Sequence, residues 1–167
     1  MAEINSGKKI IAVSNGTERE TYLLKKILDS SRRDVFTVVP AGEAMERGTK
    51  AAVLLASEPA EFPAPEFFPV CVTAFAPSRR QELAGFRKVV TYSTEWNGAD
   101  FTARNIRTLP NGVTAFEIVG VGIIGRVRLG PDCAKDVEAA LAAAATATVA
   151  GIPFAEALEA LNGSQKT

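Results

Sequence analysis

The chain has 167 residues and carries 19 basic and 19 acidic side chains, so its formal net charge is zero. A zero balance gives no electrostatic attraction for nucleic acid or for an anionic membrane, and we expect neither as a partner. There is no histidine, which excludes catalysis by an imidazole base, Ser–His triads and zinc sites that need imidazole ligands.

Length and composition are typical of one globular domain. Hydrophobic residues make up 47% of the chain and charged residues 23%, which is a composition of folded proteins. The apolar run at residues 10–13 is too short for a membrane span or an export signal. We therefore expect a soluble cytoplasmic protein with a single domain over residues 1–167, whose core lies at about 9–163. Cys71 and Cys133 have no neighbouring cysteine, so reduced buried thiols are favoured over a disulfide.

The first half of the chain alternates short apolar runs with amphipathic or proline-rich segments. Runs rich in β-branched and apolar residues predict five buried strands, at residues 9–14, 35–39, 51–56, 70–75 and 88–92. Helices are predicted at 17–30 and 78–84, and the four prolines of residues 57–69 predict an irregular loop. Strands that are apolar on both faces and separated by helices or crossover loops indicate a parallel sheet covered on two sides.

In the second half of the chain, apolar residues recur with a period of two. Alternating apolar and polar residues predict three strands, at residues 101–109, 113–119 and 122–129. Residues 110–112, Pro-Asn-Gly, are a hairpin turn signal, so an antiparallel meander is expected. Two helices follow at 132–150 and 153–161, with Gly151 ending the first. The predicted fold class is α/β, a three-layer parallel sheet with flanking helices plus a small antiparallel meander.

The turn between the first predicted strand and helix is the strongest candidate for ligand contact. It consists of Ser14, Asn15, Gly16, Thr17 and Glu18. A strand, a glycine-containing loop and a helix N-terminus are the geometry of a phosphate-binding loop. Such a loop also needs a lysine and a magnesium-binding hydroxyl, whereas Glu18 and Glu20 at the helix start repel phosphate. A turn capped by Asn15 or Thr17 is therefore favoured over a nucleotide site, with Arg19 as the one candidate cation.

A second candidate site lies where ligands bind in open parallel sheets, beyond the carboxyl ends of the strands. Four side chains are predicted to line a pocket rim there: Ser57, Thr73, Tyr92 and Trp96. For Trp96 the alternative is a loop aromatic that packs over the core. The arginine pairs at residues 32–33 and 79–80 are expected to be solvated, and the spacing of the acidic residues predicts no metal site.

Three segments resemble the central, ATP-binding domain of the Mur ligases, which include the peptidoglycan amino-acid ligases. The first, residues 10–28, resembles that family's strand, phosphate loop and helix. The second, residues 89–92 with 99–106, is similar to the start of the family's small antiparallel sheet. The third, residues 129–161, is similar to the alanine-rich helix pair that closes the domain. The resemblance covers about 9–163, includes neither flanking domain, and implies a P-loop-like fold whose relatives use ATP and magnesium.

Several positions depart from the family pattern. The resemblance places Thr17 where the family has its phosphate-binding lysine and Glu18 where it has a magnesium-binding hydroxyl. Leu55 stands at the position of an acidic metal residue, although Ser57 is retained. Replacing a phosphate-binding cation by a neutral group removes a charge-assisted contact that the catalytic cycle needs. The resemblance therefore implies a degenerate nucleotide site.

These departures predict a non-catalytic relative that serves as a binding or assembly module, without a cofactor. Its partner would be an unidentified protein, a small ligand or a second copy, with the apolar loop residues Pro63, Phe67, Phe68 and Pro69 as a candidate patch. The alternative is one subunit of a split ATP-dependent carboxylate–amine ligase linked to cell-wall peptide synthesis, which would use ATP and magnesium. An enzyme that uses Cys71 or Cys133 is a weaker third hypothesis, because apolar neighbours disfavour a thiolate.

Overall fold

The structure is a computed structural model, and it describes residues 8–31 and 35–163. Twelve helices and strands follow one another as β1 (Lys9–Val13), α1 (Glu18–Ser30), β2 (Phe36–Pro40), α2 (Ala41–Glu46), β3 (Val53–Leu55), β4 (Val70–Ala74), β5 (Lys88–Ser93), β6 (Phe101–Thr108), β7 (Thr114–Gly120), β8 (Ile123–Leu129), α3 (Val137–Ala150) and α4 (Phe154–Gly163). Short 3₁₀ helices lie at Pro65–Phe67, Pro77–Leu83 and Pro131–Cys133. None of the described helices is long and apolar enough to cross a lipid bilayer.

The eight strands form one open sheet in the order β2-β1-β3-β4-β5-β6-β7-β8. Neighbouring strands are parallel as far as β6, and the β6–β7 and β7–β8 pairs are antiparallel. The predicted α/β class is confirmed, and the predicted meander continues the parallel sheet across the β5–β6 pair. The register slips between Arg104 and Arg107, where Asn105 adopts a φ of 55° and forms a β-bulge.

One face of the sheet is covered by α1, α3 and α4, which also pack against one another. Helix α3 is buried on nearly all sides because alanine and threonine fill most of its positions, so its backbone can approach both the sheet and α1. Gly151 ends α3 with a φ of 115°, and the N–H of Ile152 bonds the carbonyl of Ala147 at 2.9 Å. This turn brings α4 back onto β8.

Among residues 8–31 and 35–163, the opposite face is covered only over the parallel half of the sheet. Helix α2, Phe68 before β4 and Phe86 before β5 pack on the β1, β3 and β4 side chains that face away from α1. Ile10 and Ala12 point to this second core, whereas Ile11 points to the first. Strand β1 is therefore apolar on both faces, as its sequence predicts.

Three local predictions need correction. Helix α2 was not predicted, because only Ala41 and Ala44 of its six residues are buried, too few to give a helical period. The segment at 78–84 is a 3₁₀ helix that begins at Pro77. Helix α3 begins at Val137 and not at 132, because a 3₁₀ helix precedes it and Asp136 is drawn into an ion pair with α1.

Candidate functional site

The predicted phosphate loop, residues 14–18, closes on itself. The hydroxyl of Thr17 donates to the carbonyl of Ser14 at 2.6 Å, and Gly16 takes a φ of 84°, which suits glycine. Thr17 is the N-cap residue of α1, as one of the two predicted alternatives had it, but its side chain makes no capping hydrogen bond to the helix. The amide of Ser14 bonds the carbonyl of Leu55 at 3.0 Å, which ties the loop to the end of β3.

Two described cations lie near this loop, Arg19 and Lys25. Arg19 forms an ion pair with Asp136, and its guanidinium lies 4.9 Å from the centre of the Tyr22 ring. A cavity of about 420 Å³ borders the loop, and Lys25 is the one cation among its described lining residues. Lys25 comes seven residues after Glu18, so its backbone lies roughly 10 Å further along the helix axis, on the same face of α1. Arg19, the candidate cation, is thus engaged elsewhere.

Two of the predicted rim residues, Ser57 and Tyr92, lie together at the carboxyl edge of the parallel strands. The hydroxyl of Ser57 donates to a carboxylate oxygen of Glu20 at 2.7 Å. Thr73 stands behind Ser57 and donates to its carbonyl at 3.3 Å. Ser57 thus links α1 to the ends of β3 and β4.

The Tyr92 side chain is 1% exposed, and its hydroxyl makes no hydrogen bond within the part of the chain that the structure describes. Burial raises the pKa of Tyr92 well above its ordinary value, and the nearby Ser57 hydroxyl opposes this only in part. The hydroxyl of Ser14 is likewise buried and without a partner in the described residues. Because orphaned buried hydroxyls cost free energy, these two mark the least satisfied part of the core.

Four carboxylates surround this edge: Glu20, Glu58, Glu95 and Glu138. We refer to them as the acidic edge. The pKa of Glu138 is raised, first by partial burial and then by the negative charges of the other three. The negative charges of Glu20, Glu58 and Glu95 therefore reach Glu138 and disfavour its ionised form. The described residues contain no group of three Asp, Glu, Cys or His side chains close enough to hold a metal ion.

Trp96 does not join Ser57 and Tyr92. Its side chain is 58% exposed, and its ring centre lies 6.5 Å from that of Phe75. Phe75 in turn lines an apolar groove that Arg80 and Val89 also border. The predicted rim is therefore divided, with Trp96 in a separate aromatic pair.

The loop at 57–69 is ordered by a contact that the sequence did not predict. Arg79, expected to be solvated, donates to the carbonyl of Pro59 at 2.6 Å and lies 4.5 Å from the centre of the Phe62 ring. Phe68 is fully buried in the second core. The candidate apolar patch on this loop thus largely covers the sheet. The only sequence signal for the Arg79 contact is that prolines, phenylalanines and an arginine lie close together in the chain. The pair at 32–33 lies outside the described residues.

The cysteines have no partner for a disulfide. Both are free and buried, as predicted. Burial raises the pKa of Cys71 to about 12, so its thiol is almost wholly protonated at neutral pH. Cys133 lies 3.9 Å from an Arg19 nitrogen but is 6% exposed. Neither thiol presents an accessible nucleophile.

No protein-family model matches this sequence, and no curated protein matches it. Solved structures do match its fold. A UDP-N-acetylmuramoylalanyl-D-glutamyl-2,6-diaminopimelate–D-alanyl-D-alanyl ligase from Acinetobacter baumannii superposes with a TM-score of 0.75 at 15% identity, over 98% of this chain and 47% of the ligase. The chain has a Mur ligase-like fold.

Two further ligases support the same fold. A UDP-N-acetylmuramoyl-L-alanyl-D-glutamate–2,6-diaminopimelate ligase gives a TM-score of 0.73 at 15% identity, over 94% of this chain and 46% of that protein. A murein peptide ligase from Psychrobacter arcticus gives 0.70 at 15% identity, over 93% and 47%. The chain thus spans slightly less than half the length of these Mur ligases, and the open sheet with its antiparallel extension corresponds to their central domain.

Proposed function

We propose that this protein is a non-catalytic binding or assembly module on the Mur ligase-like fold, with a nucleotide site that no longer holds a triphosphate. The observation that carries the proposal is the acidic edge. Glu138 and three other carboxylates lie where open parallel sheets bind their ligands, and the negative charges of those three add to burial in raising the pKa of Glu138. A magnesium-bound triphosphate is still an anion, so it would be repelled there.

The geometry of the phosphate loop supports the same proposal. Phosphate binding uses a lysine and free amides at a helix N-terminus. Here Thr17 occupies the lysine position implied by the family resemblance, and its hydroxyl donates to the Ser14 carbonyl instead of facing a ligand. Of the two described cations near the loop, Arg19 is paired with Asp136, and Lys25 lies two turns along α1 from Glu18. Phosphoryl transfer depends almost entirely on such positive groups, so their loss removes turnover and not merely affinity.

Titration calorimetry with ATP and magnesium at physiological salt tests this proposal. We expect no heat of binding up to millimolar nucleotide, and no release of phosphate on long incubation. A Kd in the micromolar range with the Gly16 amide resonance shifted by the nucleotide would overturn the proposal. Monitoring Gly16 matters because its amide lies in the loop itself, so binding at another surface would leave it unchanged.

A second candidate is a split ATP-dependent carboxylate–amine ligase linked to cell-wall peptide synthesis, whose remaining parts lie outside this sequence. The observation that favours it is that the similar ligases are about twice as long as the matched region. Mixing the protein with a candidate amino-acid-binding chain and measuring ATP hydrolysis tests it. Turnover that requires both chains would favour the split ligase over the binding module.

A further inference from the structure

The antiparallel half of the sheet exposes a row of arginines on the face away from the helices. On β7, Phe116 and Ile118 point into the helical core, so Ala115 and Glu117 point to the opposite face. The register places Arg104 and Arg126 on either side of Glu117, and Arg107 and Arg128 on either side of Ala115. Four arginines therefore share one face, in two rows across three strands.

The two rows differ in charge balance. In the first, the Glu117 carboxylate lies 4.0 Å from the Arg126 guanidinium and accepts a hydrogen bond from Asn105 at 2.6 Å. In the second, the residue between Arg107 and Arg128 is Ala115, which carries no charge. No carboxylate among the described residues pairs with either arginine of this row. The two arginines stand two strand spacings apart, roughly 10 Å between their backbones, with the uncharged Ala115 between them.

The second row also has space for an anion. A cavity of about 200 Å³ lies on this face, lined by Asn105, Arg107, Ala115, Glu117, Arg126 and Arg128 among others. We call it the arginine groove. Its floor is Ala115, whose small side chain is 6% exposed, so the two arginines stand above it on opposite sides. A space of this size accommodates a small group and not a folded segment of a partner.

We propose that the arginine groove binds a phosphate-type oxyanion, carried by a small phosphate- or diphosphate-bearing molecule. A guanidinium donates two parallel hydrogen bonds to one edge of an oxyanion. A tetrahedral phosphate presents such an edge to each of two opposed arginines, whereas a carboxylate has only one. The opposed pair Arg107 and Arg128 therefore selects phosphate over carboxylate.

Pyrophosphate is the probe for a titration at low ionic strength, followed by calorimetry and by the backbone amide resonances of β7. We expect saturable one-to-one binding that shifts the Ala115 resonance, and affinity at least tenfold weaker for acetate. Arg107→Gln and Arg128→Gln should each weaken binding about tenfold, because each removes one charge-assisted contact. These side chains are exposed, so the substitutions leave the core intact.

Matched controls separate the groove from overall charge. Arg47→Gln makes the same change in net charge at an exposed site at the end of α2 and should leave binding unchanged. Glu117→Gln should tighten binding, whereas Glu46→Gln should not. Equal weakening in Arg47→Gln, or no saturable binding, would overturn the proposal. So would tighter binding of a single-stranded oligonucleotide than of pyrophosphate, lost in the same variants, because that would identify a polymer as the ligand.

Discussion

The acidic edge and the arginine groove belong to the same sheet but have opposite chemistry. The acidic edge lies at the carboxyl ends of the parallel strands, where Glu138 is surrounded by three other carboxylates. The arginine groove lies on the open face of the antiparallel strands, where Arg107 and Arg128 flank an uncharged alanine. We propose that this chain repels phosphate where the fold places ligands, and that it attracts anions on the strand surface that the described helices leave uncovered.

The difference teaches that a net charge of zero is compatible with two local clusters of opposite charge. The balance of 19 basic and 19 acidic residues is a sum over the whole chain and does not show how the charges are distributed. Screening at physiological salt acts over about 8 Å, so a ligand responds to the charges beside it and not to the sum. The absence of a nucleic-acid partner, predicted from that sum, remains a prediction.

The largest expected effect concerns the covered face of β8, opposite the arginine groove. A Cβ at Gly125 would lie 1.9 Å from Leu158 Cδ1 and 3.3 Å from the Phe154 ring, so the Leu158 side chain or α4 itself would have to shift. Gly125→Ala should lower the free energy of unfolding by about 1–3 kcal/mol through overpacking. Urea denaturation measures it.

Gly42→Ala is the matched control, because a Cβ there meets nothing within 4 Å and the residue is helical. This change should stabilise the protein by roughly 0.4–1 kcal/mol. If both glycine variants had the same stability, the close packing of α4 on β8 would be wrong. Pyrophosphate binding by folded Gly125→Ala should persist, since the groove lies on the other face.

Tyr92→Phe should stabilise the protein by about 1 kcal/mol, because it removes a buried hydroxyl that has no partner within the described residues. Thermal or urea denaturation gives the difference. Tyr22→Phe is the control, and its exposed side chain predicts a change within about 0.5 kcal/mol. A loss of stability on removing the Tyr92 hydroxyl would mean that this group has a hydrogen-bonding partner after all.

The smallest effect is expected at Glu138. Because its pKa is raised in the folded protein, the native state holds this proton more tightly than the unfolded chain, and stability falls as pH rises through that interval. Glu138→Gln removes the repulsion and should add a few tenths of a kcal/mol at pH 7. The gain should vanish below the ordinary glutamate pKa of about 4.3.

Chemical denaturation at pH 7 and at pH 3.5 measures this dependence on pH. Glu159→Gln, an exposed change on α4, serves as the control. An equal gain in the two variants, or a gain that persists at the lower pH, would contradict mutual repulsion at the acidic edge.

The sheet could be predicted from the sequence because its signals are local. The β-branched runs of β1 and β4, the Pro-Asn-Gly turn before β7 and Gly151 after α3 each determine their own backbone. Helix α2 could not be predicted, because it has fewer than two turns and only two buried alanines, and it depends on the sheet beneath it.

The sites were harder, because they depend on residues far apart in the chain. The sequence indicated Ser57 and Tyr92, but not that Glu20 and Glu138 would approach them from two different helices. The alternation of β8 predicts that Arg126 and Arg128 lie on one face of the strand. Their alignment with Arg107 across the sheet depends on the bulge at Asn105. A bulge shifts the register by one residue without a clear sequence signal, so the groove could not be predicted from the sequence.

The most direct test of opposite local fields uses two small paramagnetic co-solutes of equal size, one cationic and one anionic, with amide proton relaxation as the readout. The account predicts that the cationic probe relaxes the amide protons of Ser57 and Glu58 more strongly, and that the anionic probe relaxes those of Ala115 and Arg128 more strongly. Equal effects of both probes at both places, or the reverse preference, would contradict it.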